Sequence, residues 1–132
     1  MKKTLLILAG LLGMLAVILG AFGAHALKPS LSPDQLSTYQ TGIAYHFYHV
    51  LGILACLGLS EGKKAGVWLY RAGILFALGI FCFSGSIYLL ACKDLLGLAA
   101  WTKIIGPITP IGGTFFILGW ICILIQGTKQ IN

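Results

Sequence analysis

Four long runs without a charged residue constrain the fold of this chain more than any other feature. They comprise 24, 26, 21 and 25 residues and lie between Lys3 and Lys28, Asp34 and Glu61, Arg71 and Lys93, and Lys103 and Lys129. A helix needs about 20 apolar residues to cross a hydrocarbon core of about 30 Å. Because backbone groups in lipid must bond within their own segment, each run is expected to be helical.

The runs predict an all-α integral membrane protein, organised as one membrane domain over residues 1–132. We expect spans at about 4–26, 38–60, 68–91 and 106–127, packed as an up-down-up-down four-helix bundle with short loops. The start of the chain also resembles a signal peptide, with Lys2, Lys3, an apolar stretch and Ala24-His25-Ala26. The apolar stretch is longer than is usual for such a segment, so we interpret it as a retained helix.

The composition supports a membrane location and argues against a water-soluble domain. Of the 132 residues, 58% are hydrophobic and 9% charged, whereas a soluble domain carries about a quarter charged residues. The net charge of +6 does not indicate nucleic acid, because the basic residues are scattered between apolar runs and not gathered on one face. The lipid bilayer is therefore the expected partner, and nucleic acid is not.

The basic residues predict the orientation. One side of the bundle would carry six of them, Lys2, Lys3, Lys63, Lys64, Arg71 and Lys129, and the other side three, Lys28, Lys93 and Lys103. The richer side belongs in the cytoplasm by the positive-inside rule. We therefore expect a multi-pass protein of the bacterial inner membrane with both termini in the cytoplasm.

Two helix starts are visible in the sequence. Ser32 and Gln35 have the spacing of a capping box, with Pro33 at the first helical position. In the fourth run Thr109 is expected to be the N-cap and Pro110 the first helical residue, which would leave residues 104–108 irregular. Small residues recur on the helices, and we expect Gly13, Gly20, Gly112 and Gly113 to mediate helix packing.

Polar side chains are concentrated in the halves of the runs that should face outward, whereas the cytoplasmic halves are apolar. Because such groups are costly in lipid unless they pair or meet water, they are candidates for function. They predict an outward-leaflet polar pocket above an apolar floor. The candidate pocket residues are His25, Gln40, Thr41, Tyr45, His49, Ser84, Ser86, Tyr88 and Thr109. The alternative is that these groups only satisfy one another.

No pattern in the sequence predicts catalysis, a metal or a cofactor. His25, His46 and His49 are possible ligands of a metal or haem. Yet there is no H-E-x-x-H motif, and no acidic residue within a run to orient such ligands. The serines lack an acidic partner for hydrolase chemistry. The four cysteines have no C-x-x-C spacing, so a disulfide framework or a metal site is not expected.

Four segments resemble the YgdD/YwdK family of small inner-membrane proteins of unknown function. They are GAFGAHA at 20–26, YQTG at 39–42 running on to His49, FSGSIY at 83–88, and TPIGG at 109–113 running on to Gly119 and Trp120. The resemblance implies four membrane helices and no established activity. It also implies motif residues at His25, Gln40, Thr41, Tyr45, His49, Ser84 and Tyr88, whereas His46 is not part of the motif.

The functional prediction is a non-enzymatic accessory or binding protein. Its ligand would be a lipid headgroup, a small molecule or another membrane protein. A homo-oligomer of the chain is a further possible assembly. The alternatives are an oligomeric transporter of small solutes or ions and, third, a metal- or haem-binding protein. An outward cluster above an apolar floor argues against a pore, because a pore needs a wettable lining throughout.

Overall fold

A computed structural model describes residues 1–60 and 66–130, without the side chain of Gln130. Its α-helices are α1 (Lys2–Phe22), α2 (Pro33–Leu59), α3 (Val67–Gly79), α4 (Gly85–Ala91), α5 (Thr102–Ile105) and α6 (Ile108–Gln130). Two π-helical segments, Gly23–Leu27 and Ile80–Ser84, continue α1 and join α3 to α4, and a 3-10 turn at Ala99–Trp101 precedes α5. No strand occurs in these residues.

Four stretches are long and apolar enough to cross a membrane, which confirms the predicted all-α membrane fold. They are the first span (Lys2–Leu27), the second span (Pro33–Leu59), the third span (Val67–Ala91) and the fourth span (Ala99–Lys129). Met1, Ser60 and Gly66 line one cavity, so the beginnings of the first and third spans meet the end of the second. The side of the membrane on which this end lies remains a prediction, and Lys63 and Lys64 of the charge count lie outside the described residues.

The second span begins at the predicted capping box. The Gln35 main-chain N–H donates to Ser32 Oγ over 3.2 Å, and the Ser32 N–H donates to Gln35 Oε1 over 3.0 Å. Two N–H groups without helical partners are thereby satisfied. From there α2 continues without interruption for 27 residues.

The fourth span begins differently from the prediction. Thr109 is not an N-cap, because α6 already starts at Ile108 and the short helix Thr102–Ile105 precedes it. Pro110 is accommodated in the first turn of α6, where the missing proline N–H would have had no helical partner. The Thr109 hydroxyl instead bonds to Ser86 of the third span.

The third span lies at the centre of the bundle. The second and fourth spans both pack against it, and the first span packs mainly against the second. An apolar core fills the half of the bundle that holds the N-terminus, with Leu5, Ile53 and Phe76 almost completely buried.

Glycines line a close contact between the third and fourth spans, which we call the glycine seam. A Cβ atom at Gly112 would collide with the main-chain nitrogen of Phe83, and one at Gly79 with the ring of Phe116. The predicted packing position Gly112 therefore lies where the backbones of the third and fourth spans are in close contact.

The other three predicted packing glycines have more room. A Cβ at Gly13 would lie 3.5 Å from Val50, one at Gly20 3.7 Å from Ile43, and one at Gly113 3.9 Å from a ring atom of Phe83. These are ordinary van der Waals distances, so Gly13 and Gly20 face the second span without requiring a glycine.

Candidate functional site

The structure distributes the nine predicted pocket residues over several places. His49, Ser84 and Ser86 are buried, and Tyr88 and Thr109 are half-buried. The exposed members are His25, Gln40, Thr41 and Tyr45. Five of the predicted residues therefore lie in or at the edge of the protein interior, and four lie on the surface of the bundle.

His46, which is buried, and Tyr88, which is half-buried, form a polar pair between the second and third spans. His46 is 1% exposed, and its Nδ1 lies 3.0 Å from the Tyr88 hydroxyl. Gly42 makes room for this pair, because a Cβ there would collide with the Tyr88 ring. Ser84 is fully buried one turn before Tyr88, and its hydroxyl makes no hydrogen bond within the described part of the chain. His46 was not among the pocket residues predicted from the sequence, although a histidine in the middle of an apolar run was a visible signal.

His49 lies three residues after His46, on an adjacent part of the helix surface, and contacts the fourth span. Its ring stacks on Phe116 at 3.4 Å between centroids, with 6° between the planes. Nδ1 lies 2.8 Å from the Tyr45 carbonyl oxygen, which only accepts, so Nδ1 carries a proton. Nε2 accepts from Trp120 Nε1 over 3.4 Å. Both ring nitrogens therefore have partners, as in a neutral histidine.

Ser86 and Thr109 join the third span to the fourth. Their hydroxyl oxygens lie 2.7 Å apart, and the Ser86 hydroxyl lies 3.0 Å from the Phe83 carbonyl oxygen. If Ser86 donates to that carbonyl, Thr109 donates to Ser86. Interhelical bonds of this kind stabilise a membrane bundle by about 0.6 kcal/mol each.

His25 stands apart from the buried histidines. It is exposed in the π-helical end of the first span. Across residues 1–60 and 66–130, no group of three or more His, Cys, Asp or Glu side chains is placed to hold a metal ion.

An aromatic cluster that was not predicted from the sequence surrounds His49. Its rings come from the second, third and fourth spans, and neighbouring centroids lie between 3.4 and 6.3 Å apart. The members are Tyr45, Tyr48, His49, Phe76, Phe83, Phe116 and Trp120. Helical spacing was an available signal, since Tyr45 and His49, and Phe116 and Trp120, are four residues apart.

At its edge the cluster reaches the outer surface of the bundle. Tyr45 is 41% exposed, Trp120 52% and Tyr48 60%. Neither tyrosine hydroxyl makes a hydrogen bond to any residue that the structure describes, whereas Thr41 bonds to the Ser37 carbonyl one turn back. The exposed hydroxyls are therefore available to a partner.

Tyr48 belongs to a stripe along the second span that we call the second-span face. Its members follow one another at intervals of four and three residues and are exposed, or half-buried at Ala44: Ser37, Thr41, Ala44, Tyr48, Leu51 and Ala55. That spacing places them along one side of the helix. Most of these side chains are small or carry a hydroxyl.

Comparison with known proteins identifies the family. The model of a family described as a protein of unknown function, DUF423, matches residues 19–113. The chain belongs to this family. It is 38% identical to the membrane protein YwdK of Bacillus subtilis over 98% of this chain and 99% of the relative. No solved structure matches the chain.

Two further relatives match over most of their length. A membrane protein of Staphylococcus saprophyticus, SSP2132, is 43% identical over 98% of this chain and 99% of the relative. The inner membrane protein YgdD of Escherichia coli K12 is 37% identical over 97% of this chain and 92% of the relative. Together with the four spans, these relatives identify the DUF423 chain as a multi-pass inner-membrane protein in contact with the lipid bilayer, and they confirm the family resemblance.

Proposed function

We propose that the chain is a non-enzymatic accessory protein whose second-span face binds a transmembrane helix of another membrane protein. The partner helix would present hydrogen-bonding groups to the hydroxyl of Tyr48, on this face, and to that of the exposed Tyr45 three residues earlier. The observation that carries this proposal is the exposure of Tyr48, 60%, at a depth where lipid offers its hydroxyl no partner.

The depth of Tyr48 follows from its place in α2. It comes 15 residues after Pro33 and 11 before Leu59, or about 22 and 16 Å from the two ends at 1.5 Å per residue. Tyrosine is usually enriched at the membrane–water interfaces, where its hydroxyl meets polar groups. A hydroxyl without a partner in an apolar medium costs about 1–3 kcal/mol on the scale of protein mutations.

The residues around Tyr48 suit a helix as the partner. Lipid tails are as apolar as leucine, so helices associate in membranes through close packing over small residues and through interhelical hydrogen bonds. Ala44 and Ala55 lie on either side of Tyr48 along the stripe, and Ser37 and Thr41 extend it outward. Their alternating intervals of four and three residues are those of a helix-packing seam.

Photo-crosslinking in intact cells tests the proposal. A photoreactive amino acid replaces Leu51, which is 59% exposed on the second-span face, or Leu11, which is 56% exposed on the first span. Leu51 lies eight residues before the end of its span and Leu11 nine after the start of its own, so the depths match. We expect a discrete protein adduct from position 51 and lipid adducts alone from position 11.

The tyrosine hydroxyls supply the specificity control. In the double variant Tyr45→Phe and Tyr48→Phe the adduct from position 51 should disappear while the melting temperature stays unchanged. An adduct that survives the double substitution, or equal products from positions 11 and 51, would contradict the proposal. An adduct of twice the chain's mass would show that the partner is a second copy of this chain and not another protein.

A further inference from the structure

Two basic side chains share one tryptophan ring at the end of the bundle that holds the N-terminus. The Arg71 Cζ atom lies 4.8 Å from the centre of the Trp68 ring, and the Lys129 Nζ atom lies 5.1 Å from it. The two positive charges are therefore at most about 10 Å apart. Like charges at this distance repel each other, and an anion between them would remove the repulsion.

The helix dipoles act differently on the two cations. Trp68 and Arg71 lie in the first five residues of α3, where the helix dipole is positive and favours anions over cations, whereas Lys129 lies in the last turn of α6, where the dipole is negative and favours the cation. The acidic residues of the described part, Asp34 and Asp94, lie at the opposite end of the bundle, where Gln35 donates to the Asp94 carboxylate. The remaining acidic residue, Glu61, lies outside the described residues.

An apolar groove begins beside Arg71 and runs between the third and fourth spans. It has a volume of about 360 Å³ and is lined by Tyr70, Arg71, Ile74, Leu75 and Cys122. Its lining combines a cation and a tyrosine at the membrane surface with aliphatic side chains deeper in the bilayer. This order matches a phospholipid, whose charged headgroup sits at the surface and whose acyl chain lies below it.

We infer that Arg71, Lys129 and this groove form a binding site for an anionic glycerophospholipid. The phosphate lies between the two cations beside Trp68, and one acyl chain occupies the groove over Ile74 and Leu75. Basic sites between membrane helices are a recurrent mode of binding for anionic headgroups. This site lies at the opposite end of the bundle from the outer part of the second-span face and does not depend on the proposed partner helix.

Native mass spectrometry of the full-length protein tests the site. The purified chain is titrated with phosphatidylglycerol and, separately, with phosphatidylcholine, which has the same acyl chains and no net charge. We expect a clear preference for phosphatidylglycerol. Arg71→Gln and Lys129→Gln should each weaken its binding about fivefold, which is the effect expected of one basic residue at a membrane surface.

A control variant and a competitor test whether binding requires this site and an acyl chain. Lys103→Gln removes the same charge from an exposed lysine near the start of the fourth span, and it should leave the affinity unchanged. Glycerol phosphate, which has the anion but no acyl chain, should not displace the lipid. Equal affinity for the two lipids, equal weakening by Lys103→Gln, or displacement by glycerol phosphate would each overturn the assignment.

Discussion

Two exposed stripes of this bundle have similar helical spacing but opposite chemistry. The first-span face carries large apolar side chains that are 49–57% exposed, namely Ile7, Leu11, Met14, Ile18 and Phe22. The second-span face carries Ser37, Thr41, Ala44, Tyr48, Leu51 and Ala55. In agreement, the second span has the lowest mean hydropathy of the four, and the first span the highest.

The difference separates a surface suited to lipid from one suited to another helix. Large flexible aliphatic side chains match acyl chains, which need no hydrogen bonds. Small side chains let the backbone of a second helix approach closely, and hydroxyl groups can then form interhelical hydrogen bonds. The second-span face can bind another helix only if no other part of this chain already covers it.

The largest effect is expected at the glycine seam between the third and fourth spans. Gly112→Leu places a side chain on the Phe83 backbone, which cannot move aside as a flexible side chain would. We expect a loss of about 3 kcal/mol or more in the free energy of unfolding, at the upper end of the usual cost of overpacking. Reversible unfolding in mixed detergent micelles measures the loss.

The matched control is Ala55→Leu on the second-span face, which enlarges an exposed side chain instead of a buried position. Its unfolding free energy should stay within about 0.5 kcal/mol of the parent. A similar loss in both variants would mean that the second-span face is already covered by the chain itself, and the comparison would fail.

A smaller change in the free energy of unfolding should distinguish the hydrogen-bonded hydroxyl of Tyr88 from the exposed hydroxyl of Tyr48. Tyr88→Phe removes the partner of His46 Nδ1, so we expect a loss of about 0.6 to 1.7 kcal/mol, the range of interhelical hydrogen bonds in membranes. Tyr48→Phe removes a hydroxyl with no bond in the described residues, and we expect no measurable change. Equal losses in the same unfolding assay would show that Tyr48 bonds within the chain.

The local features of this fold were predictable from the sequence, and the long-range ones were not. The four spans and the capping box at Ser32 depend on residues close together in the chain, and both were predicted. The start of α6 was misplaced because Pro110 is tolerated in the first turn of a helix as well as at its first residue. The π-helical turn Ile80–Ser84 has no local signal of this kind.

The candidate site shows the same limit. Sequence reasoning found most of the polar residues but could not tell which of them meet. His46 and His49 lie only three residues apart on one helix, yet His46 bonds to Tyr88 of the third span and His49 stacks on Phe116 of the fourth. The rings around His49 come from three spans that are far apart in the sequence, so their proximity has no local signal. Predictions of packing had the same weakness, since Gly13 and Gly112 look alike in sequence while only Gly112 meets a backbone.

The claim that a partner helix covers the second-span face is tested most directly by lipid exposure in native membranes. Trifluoromethyl-phenylalanine is incorporated at position 11 or 51, two leucines that are 56% and 59% exposed. Dissolved oxygen, which concentrates in the hydrocarbon, then broadens the fluorine resonance of a lipid-exposed probe. We predict strong broadening at position 11, weak broadening at position 51, and equal broadening once the protein is purified into lipid vesicles. Equal broadening at the two positions in native membranes would contradict the claim.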